Sequence, residues 1–271
     1  MARRLAMVFP GQGTAGGEAS GEVRDAVGRV VGNGEVHYQL SVFAGSVDES
    51  RRLKESGVEP DVIAGHSLGE YAAAHAAGSL ELDDAVRLVA ERGRLMTEAA
   101  KKNPGGMVAI IGIGTREVVQ AVDSADGAVV VANFNTPRQT VVSGKNEALE
   151  EVTGCVGGKK RKLDVAGAFH SPFMWEAAIQ MDALLAEVSL EDPRVPIISG
   201  IDGSVLAKAD DVRLALRGQM LSPVRWVAVM ERFTALGVVE VVEAGEGTLV
   251  RMLRDFRDLE MRGRAAKEVL A

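Results

Sequence analysis

The residues of this chain whose types and spacing are best suited to chemistry are Gly65-His66-Ser67-Leu68-Gly69, a G-x-S-x-G pattern. It directly follows an apolar run, Val62 to Ala64, and directly precedes an alanine-rich stretch that opens at Leu68. Strand, sharp turn and helix in that order make a nucleophile elbow, whose glycines admit a turn too tight for neighbouring side chains. A serine so placed sits at a helix N-terminus, where the N–H of Leu68 and the helix dipole both favour a developing oxyanion. Its hydroxyl becomes a useful nucleophile once a base accepts the proton.

Four histidines are available as that base. His66 lies inside the turn and is expected to point away from the Ser67 side chain, and His37 falls in a weakly patterned segment. His75, two turns along the helix after Ser67, is expected to serve packing or surface. His170 is different: Ala168-Phe169-His170-Ser171-Pro172 reads as a strand-to-helix junction, where a side chain projects into a cleft shared with another strand end. A neutral imidazole with an ordinary pKa of about 6.5 suits the taking and returning of one proton near neutrality. The single cysteine, Cys155, excludes an internal disulfide and any multi-cysteine metal site, and no metal is expected. Cys155 itself reads as a small buried or half-buried side chain.

The elements that must position Ser67 and His170 follow from periodicity. With 271 residues, 46% of them hydrophobic, the chain can bury a large core plus a small inserted domain. A formal charge of −7 argues against nucleic acid as a partner. No apolar stretch reaches the roughly 18 to 20 residues that cross a bilayer. Arg3 and Arg4 precede only Leu5 to Phe9 before Pro10 and Gly11 intervene, so neither membrane insertion nor export is expected, and the protein is expected in the cytoplasm.

Apolar runs of strand length alternate with helical patterns: Leu5 to Phe9, a helix over Val42 to Ser56, Val62 to Ala64, then the alanine-rich helix. This is an α/β layer pattern with a mostly parallel sheet. The eight glycines from Gly11 to Gly34 predict loops or weak helices there, at about 1 kcal/mol each relative to alanine in a helix. Leu82 to Ala100 is a dipole-complemented helix, with Asp83 and Asp84 at its start and Lys101 and Lys102 past its end. After Asn103-Pro104-Gly105-Gly106 comes a βαββαβ order: Met107 to Ile113, Thr115 to Ser124, Ala128 to Asn133, Gln139 to Ser143, Asn146 to Val156 and Arg161 to Val165. The α/β pattern then resumes with helix Pro172 to Val188, strand Val195 to Ser199, helix Val224 to Leu236 and strand Val238 to Glu243. The expected architecture is an α/β-hydrolase-like domain over 1–105 and 166–271, interrupted by a ferredoxin-like subdomain over 106–165.

Taken together, Phe9-Pro10-Gly11-Gln12-Gly13, Gly65 to Gly69 followed by Glu70, and Ala168-Phe169-His170-Ser171 make the chain resemble the malonyl-CoA:acyl carrier protein transacylases and the acyltransferase domains of polyketide and fatty-acid synthases. The likeness runs through Arg92-Gly93-Arg94-Leu95-Met96, Ala132-Asn133-Phe134-Asn135, Gln219-Met220-Leu221-Ser222-Pro223-Val224-Arg225-Trp226 and Glu243-Ala244-Gly245-Glu246-Gly247. It implies a malonyl ester on Ser67, His170 as base and then acid, and an oxyanion hole from the N–H groups of Gln12 and Leu68. Arg92 would clamp the free malonyl carboxylate, and the histidine would be held by a backbone carbonyl rather than an aspartate. Asn133, Asn135, Gln139 and Gln219 are implied secondary contacts, and Phe169 and Leu68 resemble the malonyl-selecting members. The implied partners are malonyl-CoA as donor and acyl carrier protein as acceptor, with no bound cofactor and a monomeric chain. Lys159, Lys160, Arg161 and Lys162 could meet an acidic carrier protein.

Between Gln12 and Ser67 the chain is shorter and more glycine-rich than the family pattern, and the usual Thr-x-x-Thr-Gln-Pro stretch survives only as Tyr38-Gln39-Leu40-Ser41. Two other readings stay open: a serine esterase or thioesterase using the same elbow, and a non-catalytic acyltransferase-like scaffold. A hydrolase would leave Arg92 without a task, and the scaffold reading would leave Ser67 and His170 without one. Gly112-Ile113-Gly114 lacks the third glycine of a dinucleotide loop and reads as a strand end.

Overall fold

In the computed structural model, residues 4–12, 19–32, 37–125, 127–256 and 259–271 are described. In chain order the elements are β1 (Arg4–Phe9), α1 (Gly21–Val31), α2 (Tyr38–Glu55), β2 (Val62–Gly65), α3 (Gly69–Ala76) and α4 (Leu82–Lys102). Then come β3 (Gly106–Ile111), α5 (Thr115–Asp123), β4 (Val129–Thr136), β5 (Gln139–Gly144), α6 (Asn146–Cys155) and β6 (Lys159–Lys162). The chain continues with α7 (Trp175–Glu187), β7 (Ile197–Ile198), β8 (Val205–Leu206), α8 (Ala209–Gly218), α9 (Trp226–Ala235), β9 (Val238–Glu243), α10 (Thr248–Met252), β10 (Arg262–Ala265) and α11 (Ala266–Val269).

Strands β10-β9-β1-β2-β7-β8 form the larger sheet, parallel except for the β7–β8 pair. Both faces are buried, which is why β1 reads as a continuous apolar run. Met7 and Phe9 join the core under α2, α3, α4 and α7, while Ala6 and Val8 face Trp226, Val229, Met230 and Phe233 of α9. Truncating Phe233, which is fully buried, would cost about 3–5 kcal/mol.

Residues of the βαββαβ stretch make the second sheet, ordered β4-β5-β3-β6 with every pair antiparallel. On one face Ile110, Val142, Val118 and Leu149 pack the sheet against α5 and α6; on the other, Met107, Ala109 and Val141 join the large core. The α/β class, with its mostly parallel sheet and a small antiparallel one, agrees with the sequence reading.

Several elements differ from expectation. The glycine-rich region carries a full helix, α1, whose Val23 and Ala26 are wholly buried against α2 and α4. Tertiary packing of one apolar face overrides weak propensity. Residues 13–18 and 33–36, the rest of that expectation, lie outside the described residues. The helix expected from Val42 begins at Tyr38. Strand Val195 to Ser199 shrinks to Ile197–Ile198, because Pro196 offers only a carbonyl, which accepts from Ile63 N–H at 3.0 Å. The helix expected from Val224 starts at Trp226, since Val224 bonds the neighbouring sheet instead: its N–H donates to Ala132 O and its O accepts from Phe134 N–H, both at 2.8 Å. Strand β6 spans Lys159–Lys162 rather than Arg161 to Val165, an exposed edge strand whose ladder needs no apolar alternation. The sequence reading did not anticipate β8, α8, α10, β10 or α11.

Candidate active site

Pairing of Phe9 with Gly65 at the carboxyl ends of β1 and β2 brings the Pro10-Gly11-Gln12 turn beside the elbow, at the edge where open α/β sheets bind ligands. Ser67 has φ 54°, a left-handed conformation unusual for a residue with a side chain. The elbow glycines are demanded by contact: a Cβ on Gly65 would stand 2.2 Å from Glu70 N, and one on Gly69 would stand 2.1 Å from Phe9 O. His170 also has a positive φ, 55°, just before the 3-10 turn Pro172–Met174. Its Nε2 lies 2.7 Å from Ser67 Oγ. Its Nδ1 faces two carbonyl oxygens, Gln219 O at 2.9 Å and Ser222 O at 3.0 Å, which only an N–H can satisfy. That network puts the proton on Nδ1 and leaves Nε2 to accept from the serine. Burial, aided by the Arg92 charge, pushes the His170 pKa down to about 4, so the ring is a neutral base at neutrality.

Arg92, on α4, is fully buried. Its guanidinium donates to Gln39 Oε1, to Gln219 Oε1 at 2.9 Å and to Ser67 Oγ at 3.1 Å, and it lies 5.9 Å from the centroid of the Tyr71 ring. Its Nε has no hydrogen-bond partner among the described residues. Burial lowers its pKa from the usual guanidinium range, opposed by Tyr71 and Glu70. Glu70, also buried, accepts from Gly200 N–H at 2.9 Å and from Gln219 Nε2 at 2.9 Å. Burial raises its carboxyl pKa to about 7 against the pull of the Gly200 N–H and of Arg92.

Above Ser67 opens a cavity of about 190 Å³. Gln12, Asn133, Asn135, Gln139 and Phe169 line it together with Ser67 and His170, whereas Arg92 and Gln219 lie beneath its floor and touch Ser67. Leu68 caps α3, and its N–H has no acceptor among the described residues. Asn135 is tied to Gln139 Oε1 at 2.9 Å and to His66 Nε2 at 2.9 Å. The basic run divides by register. Lys159 and Arg161 pair with Ile111 and Ala109, which line the cavity, while Lys160 and Lys162 pair with Ile110 and Val108 on the helix-covered face. Of the four, only Arg161 lines the cavity.

Three polar residues here were not picked out from the sequence as site residues. His66 is no base for Ser67, as expected, yet it lines the cavity and its ring lies 5.6 Å from the Trp226 ring, tilted by 57°. Gln39 is an acceptor for Arg92, and the remnant Tyr38-Gln39-Leu40-Ser41 stretch was its only sequence signal. Glu70, directly after the elbow, entered the sequence reading only as part of the motif that carries the family resemblance, with no role attached to it. Near the far wall, Glu243 accepts from four backbone N–H groups, Gly247 to Val250, at 2.7–3.1 Å, and so fixes Thr248 and Leu249 against the cavity. His75 is held by Leu80 O at 2.9 Å, a packing role as expected. Cys155 is exposed rather than buried or half-buried.

Comparison with known proteins places this arrangement. Residues 30–244 match the family described as the acyl transferase domain. The malonyl CoA-acyl carrier protein transacylase of Haemophilus influenzae is 33% identical, over 93% of this chain and 91% of that protein. The crystal structure of the Synechocystis sp. PCC 6803 malonyl-CoA:ACP transacylase superposes with a TM-score of 0.88 at 27% identity, covering 97% of this chain and 96% of the other. A malonyl-transacylase solved in complex with a type II PKS acyl-carrier protein superposes equally well, with a TM-score of 0.88 at 29% identity over 97% and 95% of the two chains. By matched span, by fold and by kinship, this chain belongs to the acyl transferase domain family, among the malonyl CoA-acyl carrier protein transacylases.

Proposed function

We propose that this chain transfers a malonyl group from malonyl-CoA to the phosphopantetheine thiol of an acyl carrier protein, through an ester on Ser67, supplying extender units for fatty-acid biosynthesis. The observation that carries the reading is the convergence on one oxygen: Ser67 Oγ is 2.7 Å from the His170 base and 3.1 Å from a buried cation, Arg92. The first contact makes a nucleophile. The second makes a nucleophile that selects acyl groups ending in carboxylate.

In the first half-reaction Ser67 Oγ attacks the thioester carbonyl while its proton passes to His170 Nε2. The N–H groups of Leu68 and Gln12 receive the oxyanion. As the carbon–sulfur bond breaks, His170 returns the proton to the departing thiolate. In the second half, the carrier thiol gives its proton to His170 and attacks the ester, the carbon–oxygen bond breaks, and Ser67 regains its proton. With carbonyls rather than a carboxylate behind it, His170 keeps its tautomer without a buried acid partner. Arg92 meets the malonyl carboxylate with paired, charge-assisted hydrogen bonds, which lysine would not reproduce. A donor without that carboxylate leaves the cation unanswered, so acetyl-CoA is a poor substrate. Asn133, Asn135, Gln139 and Phe169 shape the cavity around the acyl chain and pantetheine arm. Lys159 to Lys162 favour an acidic carrier. No bound cofactor is needed, and the chain acts as a monomer with a large domain over 1–105 and 166–271 and a subdomain over 106–165.

Intact-protein mass spectrometry after brief incubation with malonyl-CoA tests this. Wild type should gain one malonyl unit and lose it to added carrier protein, Ser67→Ala should gain none, and Arg92→Ala little. Coenzyme A release with free malonate would indicate a hydrolase instead. A folded wild type that is never labelled and releases no coenzyme A would indicate a scaffold.

A further inference from the structure

Glu70 is buried beside the reacting groups, yet the steps above give it nothing to do. Among the described residues its two carboxyl oxygens face N–H donors only: Oε1 accepts from Gly200 N–H and Oε2 from the Gln219 side-chain amide, each at 2.9 Å. The same amide directs Nε2 toward Ser67 O at 3.3 Å and offers Oε1 to Arg92 at 2.9 Å. An amide has one donor end and one acceptor end. Turned over, the Gln219 amide would set its NH2 against the guanidinium donors and its oxygen against the carboxylate. Its orientation is therefore fixed from both ends, and Glu70 holds the end away from Arg92. The His170 contact is separate, because it uses the main-chain carbonyl of Gln219 at 2.9 Å, which a turn of the side chain does not move.

We infer that Glu70 is a positioning residue for choice of acyl group: its two carboxyl oxygens, set against Gly200 N–H and the Gln219 NH2, orient the Gln219 amide, and that amide holds the Arg92 guanidinium against Ser67, where the free carboxylate of the acyl chain is met. The inference rests on the acyltransferase reading. It assigns Glu70 to selectivity rather than to proton transfer, since among the described residues the Glu70 carboxyl group reaches Ser67 and His170 only through Gln219.

The test is Glu70→Gln, the same shape without the charge. One of its terminal atoms becomes an NH2 group, and both neighbours it must satisfy are donors, so one hydrogen bond is lost whichever way the new amide lies. Rates of Ser67 acylation by malonyl-CoA and by acetyl-CoA are compared in wild type and variant by intact mass, with folding checked by thermal unfolding. The expected result is a fall of tenfold or more in the malonyl-to-acetyl ratio. A merely structural role would depress both rates together and leave the ratio unmoved, and that outcome overturns the inference. If Glu70→Gln does not fold, Glu70→Asp keeps the charge but retracts it by one methylene from Gln219. It must lower the same ratio, and an unmoved ratio in that folded variant overturns the inference equally. Failure of wild type to take malonyl on Ser67, with acetyl still accepted, would instead sink the parent reading and this one with it.

Discussion

The two sides of the cavity are built on opposite principles. On the side of the larger sheet, Arg92, Glu70 and Gln219 form a buried polar network against the half-buried Ser67, and side chains and backbone approach to the limit of contact. On the other side a four-stranded sheet presents Met107, Ala109 and Ile111 to the cavity and ends in an edge strand, β6, whose four residues are all exposed. A buried network holds one geometry, because a group left unpaired there costs its full desolvation. An exposed edge tolerates exchange. On the proposed function, chemistry and acyl choice sit in the part held to one geometry, and admission of a long substrate and then a protein falls to the part where change is cheap.

The sharpest way to break that contrast is at the elbow. Gly69→Ala would place a methyl group 2.1 Å from Phe9 O, backbone against backbone, with no flexible side chain to give way. The expected cost is about 4 kcal/mol or more, at the top of what single substitutions do, read as loss of soluble folded protein or a Tm drop of roughly 10 °C. A variant with unchanged Tm would show that the elbow is softer than these contacts imply.

The elbow is also where the sequence was most legible. Gly65, Ser67 and Gly69 read as a strand-turn-helix from their neighbours alone, and the βαββαβ order announced the antiparallel sheet. What stayed hidden was set by tertiary contact. Helix α1 forms despite Gly28 because Val23 and Ala26 find a core, and Val224 leaves its helix because β4 offers it a partner. Glu70 and Gln39 gain their roles only from Arg92 and Gln219, residues far along the chain that nothing local connects to them.

A second prediction tests the buried side through its protons. The folded pKa of His170 lies near 4, below the roughly 6.5 of an unfolded histidine. Between those values the unfolded chain binds a proton that the folded ring refuses. Stability from this group is therefore complete above pH 6.5 and lost as pH falls toward 4, by about 3 kcal/mol. Urea unfolding of wild type and His170→Gln at pH 7 and pH 4.5 should show wild type losing more than the variant by about that amount. Parallel losses would mean that His170 is not held neutral by burial.

On the exposed side the effects are smaller and divide by register. Lys159 and Arg161 share the cavity face of β6, so Lys159→Ala/Arg161→Ala should slow transfer to the carrier protein severalfold, about 1 kcal/mol, with less effect on malonylation of Ser67. Lys160→Ala/Lys162→Ala, on the face that carries α5 and α6, should do less, and raising salt should narrow the difference. Equal effects from the two pairs would mean that the run acts as undirected charge.

The smallest expected change has the opposite sign to the first. Gly154 lies near the end of α6, and a Cβ there would meet nothing within 4 Å. Alanine removes backbone freedom from the unfolded chain at no steric cost, worth about 0.5 kcal/mol so close to a helix end. That is a rise in Tm of roughly 1–2 °C for a chain of this size. The same exchange of glycine for alanine thus destroys the fold at Gly69 and slightly strengthens it at Gly154. Residue type and local propensity are shared by both, so only the crowding of the elbow and the openness of α6 around Gly154 can account for the difference. A loss at Gly154 comparable to that at Gly69 would mean that α6 is as tightly constrained as the elbow.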